Sequence, residues 1–281
     1  MIPKIPLVKM RLPIVGTEAI LNVTGDFHLG ASNVEKSEIV DSLNRESTEH
    51  KGNIFRIFTG DLMENQLKTS VGHNYDPSIA DPSVQKTEVV DILKRTNEEL
   101  YAKENWSKLS VNQNAKNFEG VRSVGVEGNH EYRTRKLAGQ WLMREVCSLS
   151  KTLYLGIHSI IELTIYNKKL KMEKVYRIYV AHRPSKTDAT SVEAILRAFR
   201  RKQSMLPGVD VIVFGHFHRR FISPEGYFDA RTNEFRKILF VTNPSPLCNP
   251  EYSDEAGYPP IETGFSVNVS LPLYGQPWGV I

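Results

Sequence analysis

Apolar residues along the chain gather into short β-rich runs separated by polar stretches. Eight runs stand out: Ala19 to Thr24, Ile54 to Thr59, Val121 to Val126, Ile160 to Tyr166, Tyr176 to Ala181, Val209 to Phe214, Ile238 to Thr242 and Phe265 to Leu271. Their length, their Ile/Val/Phe/Tyr content and their endings near Gly, Asn or Pro predict strands. Helical spacing appears instead in Val192, Ile195, Leu196 and Phe199, in Ala138, Leu142, Val146 and Leu149, and more weakly in Val89, Leu93, Thr96 and Leu100. Strands alternating with helices predict an α/β fold. The late strands leave little room for helices and predict a second sheet that is partly antiparallel. The long polar stretch from about Gln66 to Gly120 reads as an inserted helical cap or lid. No repeat, low-complexity tract or long linker divides the chain, so residues 1–281 are expected to form a single domain.

Composition narrows the class without naming a function. Hydrophobic residues make up 40% of the 281 and charged residues 24%, which excludes disorder, collagen and coiled coil as overall descriptions. No apolar run approaches the ~18–20 residues of a membrane span. Lys4, Lys9 and Arg11 interrupt the apolar N-terminus, so no signal peptide is read and a cytoplasmic location is expected. Cys147 and Cys248 are too few for a disulfide framework and read as core residues. The balance of 36 Lys+Arg against 32 Asp+Glu gives 36 − 32 = +4, a weak lean toward anionic partners.

The chemistry lies where strands end. Ala19–Thr24 runs into Gly25-Asp26-Phe27-His28, and Ile54–Thr59 into Gly60-Asp61-Leu62-Met63-Glu64-Asn65. Val121–Val126 is followed by Gly128-Asn129-His130-Glu131, Tyr176–Ala181 by His182-Arg183, and Val209–Phe214 by Gly215-His216-Phe217-His218. Carboxyl ends of strands are where α/β sheets bind ligands. Taken singly, a Gly-Asp or Gly-Asn-His is an ordinary turn, and His182 a hydrogen-bonded core histidine. Five clusters ending five strands, holding five of the eight histidines, call for a common ligand. Carboxylate, imidazole and amide oxygen together suit Mn, Fe or Zn better than Ca or Mg, and the lack of cysteine ligands argues against a structural zinc. In Asp26-x-His28 and His216-x-His218 an extended backbone would put both side chains on one side, within reach of one metal or two adjacent ones.

These five motifs, spanning residues 25 to 218, resemble those of the calcineurin-like metallophosphoesterases. The run from Gly60 to Gly72 further resembles members encoded by bacteriophages, which would place the protein in a host cytoplasm. The resemblance implies two stacked mixed β-sheets flanked by helices, a four-layer sandwich, with two divalent metals at the strand ends. Manganese is expected ahead of iron, zinc or magnesium. By motif position Asp26, His28 and His218 would hold one metal, Asn129, His182 and His216 the other, and Asp61 would bridge them. His130 would approach the scissile phosphate, and Glu64 stands where an Asp usually pairs with that histidine. Asn65 replaces the phosphate-clamping arginine of protein Ser/Thr phosphatases, removing a bidentate contact to a monoester dianion. Arg133 and Arg183, beside motif residues, are the substrate-binding candidates, while Arg135 reads equally well as a solvated surface residue.

The expected activity is that of a binuclear phosphodiesterase, acting on a phosphate ester such as a nucleotide, cyclic nucleotide or nucleic acid. A metal-bridging hydroxide would attack in line. The rivals are a phosphomonoesterase, protein phosphatases included, with the same metals, and a binding scaffold that has lost catalysis. A scaffold would be expected to lack ligands, and here every motif position is filled.

Overall fold

Strand residues alternate between two apolar environments, and that alternation builds the layers. In β9 (Val211–Phe214) Val211 and Val213 enter one core while Ile212 and Phe214 enter another. In β11 (Glu234–Thr242) Leu239 and Val241 join the first, Ile238 and Phe240 the second. A sheet covered on both faces produces such unbroken apolar runs. The computed structural model describes residues 5–31, 34–65, 81–101, 103–184, 191–229, 233–247 and 263–280.

Two mixed sheets stack face to face. One has seven strands: β10 (Phe221–Asp229), β11, β9, β8 (Met172–Ala181), β7 (His158–Asn167), β1 (Leu7–Pro13) and β4 (Asn117–Glu119), in that order. The other has six: β13 (Trp278–Val280), β12 (Ser266–Pro272), β2 (Glu18–Thr24), β3 (Ile54–Phe58), β5 (Ser123–Gly125) and β6 (Leu153–Tyr154). β2, β3 and β5 run parallel to one another, as do β8 and β9, so both sets present carboxyl ends for the motif loops. Between the sheets Met10, Leu12, Leu21, Val23, Phe55 and Ile178 share one core.

Helices close both outer faces. α1 (Lys36–Glu49), α2 (Pro82–Tyr101) and α5 (Leu142–Leu149) cover the six-stranded sheet, packing Ile39, Leu43, Ile92, Leu93 and Val146 against Phe58. α6 (Val192–Gln203) covers the seven-stranded sheet through Ile195 and Phe199. The result is the four-layer α/β sandwich implied by the motifs. No helix among the described residues is long and apolar enough to cross a membrane.

Several sequence expectations are redrawn. The late strands do not form one sheet of their own: β12 pairs antiparallel with β2, at the other end of the chain, while β10 and β11 extend the seven-stranded sheet. The Ala138–Leu149 stripe is two helices, α4 (Asn129–Ala138) and α5, because Gly139 takes the left-handed conformation (φ 70°) and caps the first; Leu149 is exposed. β1 was hidden by its charges. Met10 and Leu12 point inward, whereas Lys9 and Arg11 point outward to Glu162 and Glu173. Of the 66–120 stretch read as a cap, residues 66–80 lie outside the described ones. The remainder includes α2, packed between α1 and α5, α3 (Lys103–Lys108), and β4, paired with β1.

Candidate metal centre

Where three of the five strands end, β2, β3 and β9, the backbone leaves ordinary geometry. Asp26, His28, Asp61, His216 and His218 all have φ between 49° and 72°, the left-handed region that L-residues rarely occupy. The segments after β2 and β9 are therefore not extended, contrary to the sequence reading. Alternate left-handed residues, with Phe27 and Phe217 turned into the core, bring each pair of polar side chains together. Close approach is enforced by glycine. A Cβ on Gly128 would lie 2.1 Å from the main-chain nitrogen and a carboxylate oxygen of Asp61, and one on Gly60 would lie 2.4 Å from the nitrogen of Gly128.

The expected ligands converge in two groups. Asp26, His28 and His218 offer one ligand atom each, all within 4.8 Å of one another, and so do Asp61, His182 and His216. Asn129 joins the second group, its Oδ1 lying 2.9 Å from His182 Nε2. In the first, His28 Nε2 and His218 Nε2 are 2.9 Å apart. Asp61 accepts the main-chain N–H of His130 at 2.8 Å on one oxygen and turns the other to His182 Nε2 at 3.0 Å.

This donor set fits a cation. The Thr59 carbonyl, 3.0 Å from His182 Nδ1, can only accept, so that nitrogen carries the ring proton. Nε2 of the neutral ring is then a bare lone pair facing a carboxylate and an amide oxygen. His28 likewise donates from Nδ1 to Glu64 at 2.7 Å, leaving Nε2 bare toward His218. Acceptors so arranged repel one another unless positive charge sits among them. With no cation bound, a proton takes that part. Burial alone would lower both rings, but Asp61 and Asp26 hold His182 up at about 9, and Glu64, Asp61 and Asp26 hold His28 up at about 9. Burial works against ionised Asp61 too, yet His182, His130 and His28 keep its carboxyl well below the usual range. His216, desolvated and beside His182, falls to about 4. An acidic and imidazole set of this kind suits Mn, Fe or Zn.

His130 sits beside these groups, its ring Nδ1 donating to the main-chain carbonyl of Glu64. Here the sequence reading is corrected. The Glu64 carboxylate was expected on His130; it lies 3.7 Å from that ring nitrogen, too far for a hydrogen bond, and instead holds His28. With the residue-64 carbonyl occupied by His130, the side chain extends past that ring to the next one. Arg133 is half-buried, near enough that its charge helps lower His130, though burial of the ring is the larger cause. Arg183 is exposed beside His182. Arg135 forms an ion pair with Glu127 at 3.1 Å and lies against the rings of Tyr132 and Trp141. Asn65 is buried, and its side-chain amide has no hydrogen-bond partner among the described residues.

Two supporting residues carry roles that the motifs alone did not assign. Asn243, fully buried, donates to Asp26 at 2.9 Å and accepts from Thr59 at 2.8 Å, tying the ends of β2, β3 and β11 together. Its signal was present, for Asn243-Pro244 ends a strand as the other clusters do. Glu131 is buried and accepts four main-chain N–H groups, from Gly128, Asp61, Leu62 and Met63, at 2.7–3.1 Å. It pins the Asp61 loop to the first turn of α4. Burial beside Asp61 outweighs those bonds and pushes its carboxyl up to about 7.

A scan against protein-family models and a search of curated proteins each return no match. Among solved structures, the calcineurin-like phosphoesterase YfkN of Bacillus subtilis aligns at 11% identity with a TM-score of 0.42, covering 94% of this chain and 90% of that one. Yfce, a phosphoesterase from E. coli, aligns at 14% identity and TM-score 0.38, covering 90% and 87%. Vps29 of Entamoeba histolytica, complexed with Zn2+, aligns at 13% identity and TM-score 0.37, covering 93% and 97%.

Proposed function

We propose that this chain is a binuclear metal-dependent phosphohydrolase, and within that class a phosphodiesterase acting on a nucleotide or nucleic acid. The observation that carries the reading is the pair of buried acceptor groups, Asp26/His28/His218 and Asp61/His182/His216 with Asn129, on strand ends of both sheets. When bound, two divalent cations supply Lewis-acid polarisation of a phosphoryl group and a water acidified toward neutral pH. The chain's own residues do the rest. Thr59, Asn243 and the N–H of His130 fix the directions of His182, Asp26 and Asp61. His130, anchored through Nδ1, presents Nε2 as the proton donor to the leaving oxygen. Burial makes its cation a readier acid. Arg133 and Arg183 flank these groups and supply positive charge to an anionic substrate.

The diester preference rests on Asn65. A buried, uncharged side chain at that position gives a monoester dianion no clamp. Membership of the bacteriophage-encoded group, and a host-cytoplasmic location with it, rests on the Gly60–Gly72 run, of which residues 66–72 lie outside the described ones.

The test is paired turnover of a generic phosphodiester and its matching monoester by chelator-treated protein, reloaded with Mn, Zn or Mg. Expected are no turnover without metal, best recovery with Mn because imidazole ligands disfavour Mg, and faster cleavage of the diester. Full turnover without metal would sink the metal-dependent reading. Faster monoester cleavage would replace the diester part with a phosphomonoesterase.

A further inference from the structure

Glu64 serves two histidines with two different groups. Its main-chain carbonyl accepts from His130 Nδ1, and its carboxylate accepts from His28 Nδ1 at 2.7 Å. The same carboxylate is 3.7 Å from His130 Nδ1. Of the two rings, only His28 is within hydrogen-bond distance of this carboxylate, while His130 stands at ion-pair distance. His28 is itself nearly fully buried, with Nε2 turned toward Asp26 and His218. A carboxylate on the far nitrogen of a metal-facing imidazole fixes the tautomer, holds the ring plane and raises the basicity of the other nitrogen.

We propose that Glu64 is the positioning residue of the Asp26/His28/His218 metal site, acting through His28, and that its side chain takes no part in orienting His130. The inference rests on the metal-binding reading above and adds to it a division of labour. Removing the carboxylate weakens one of two cation sites, while His130 keeps its main-chain partner. Nothing comparable links Glu64 to the second site, whose His182 is held by the Thr59 carbonyl.

The experiment is Mn2+ binding to the full chain, followed by calorimetry and by bound-metal stoichiometry, for wild type, Glu64→Gln and Glu64→Ala. Melting of each chelated protein is recorded alongside. Wild type should take up two ions. Glu64→Ala should weaken one site by about 10–100-fold, the usual loss for such an outer partner, and leave the other site unchanged, while its chelated form, though less stable for want of the His28 partner, still melts cooperatively as a folded protein. Glu64→Gln should lose less, because its amide oxygen still accepts from Nδ1. Two unchanged sites in folded Glu64→Ala would overturn the inference while leaving the proposed function standing. Equal weakening of both sites would overturn it too, as would a Gln variant binding no better than Ala. A wild-type chain that takes up no divalent ion would sink the proposed function itself.

Discussion

Asp26, His28, Asp61, His216 and His218 stand on left-handed backbone, and each such residue costs about 1–3 kcal/mol unless its surroundings impose it. Here they do: Glu131 accepts four N–H groups from the Asp61 loop and Gly128, and Asn243 and the His216 N–H hold Asp26. The strain is thus concentrated where the titratable side chains converge. The same residues set a pH dependence. His28 and His182 rise from 6.5 to about 9 against the lowering effect of burial, so with no metal bound the folded chain holds protons that the unfolded chain releases. Their stabilisation is fully present below pH 6.5 and is lost as pH rises through about 9. Chelated protein should therefore melt at progressively lower temperature across that window. Metal displaces those protons, so Mn-loaded protein should show a flatter profile. Thermal melts over a pH series with chelator or Mn2+ check this, and a chelated protein that gains stability across the window would contradict it.

Among the elements, α2 carries the clearest consequence. Val89, Ile92 and Leu93 pack with Ile39 and Leu43 of α1 and Val146 of α5. Thr96 buries its hydroxyl by bonding the Ile92 carbonyl, and Asn97 reaches the Ser150 carbonyl at 2.9 Å. The helix is thus a load of the outer layer, fastened by apolar and polar contacts alike. Leu93→Ala should cost about 2–5 kcal/mol, as for other fully buried leucines. The loss should appear in global denaturant unfolding of the whole chain, without a change in the slope. A loss below about 1 kcal/mol, or a separate early transition, would show that α2 unfolds apart from the sandwich. The stripe beginning at Ala138 shows the opposite case, for one left-handed glycine was enough to split a spacing that looked continuous.

For the molecule as a whole, the site joins the two sheets. Asp26, Asp61 and Asn129 follow strands of the six-stranded sheet, and His182, His216 and His218 follow strands of the seven-stranded one. Bound cations would therefore clamp the sheets to each other as well as bind substrate. At a hundredfold excess over Kd, each site should add about 2.7 kcal/mol to the folded state. At about 2–4 °C per kcal/mol for domains of 150–250 residues, Tm should rise by several degrees on Mn2+ addition. Differential scanning calorimetry with and without chelator measures the shift. Equal Tm values would rule out a clamp between the layers.

By itself the sequence determined the class of the fold and the five motif loops with their polar residues. Those features are local: strand composition, a glycine at the turn and a polar residue just beyond it. It concealed β10, because Pro224 and Gly226 interrupt a run that is tolerable only at a sheet edge. It concealed β1 because outward lysine and arginine alternate with inward Met10 and Leu12. Only the tertiary structure decided that β12 returns to β2, that Asn243 reaches Asp26, and that the Glu64 carboxylate belongs to His28. Each of these depends on the distance between groups far apart in the chain: 36 positions for Glu64 and His28, 217 for Asn243 and Asp26, and 246 for Asn268 and Asn22. Such distances are set by how the layers pack, and no local pattern encodes them.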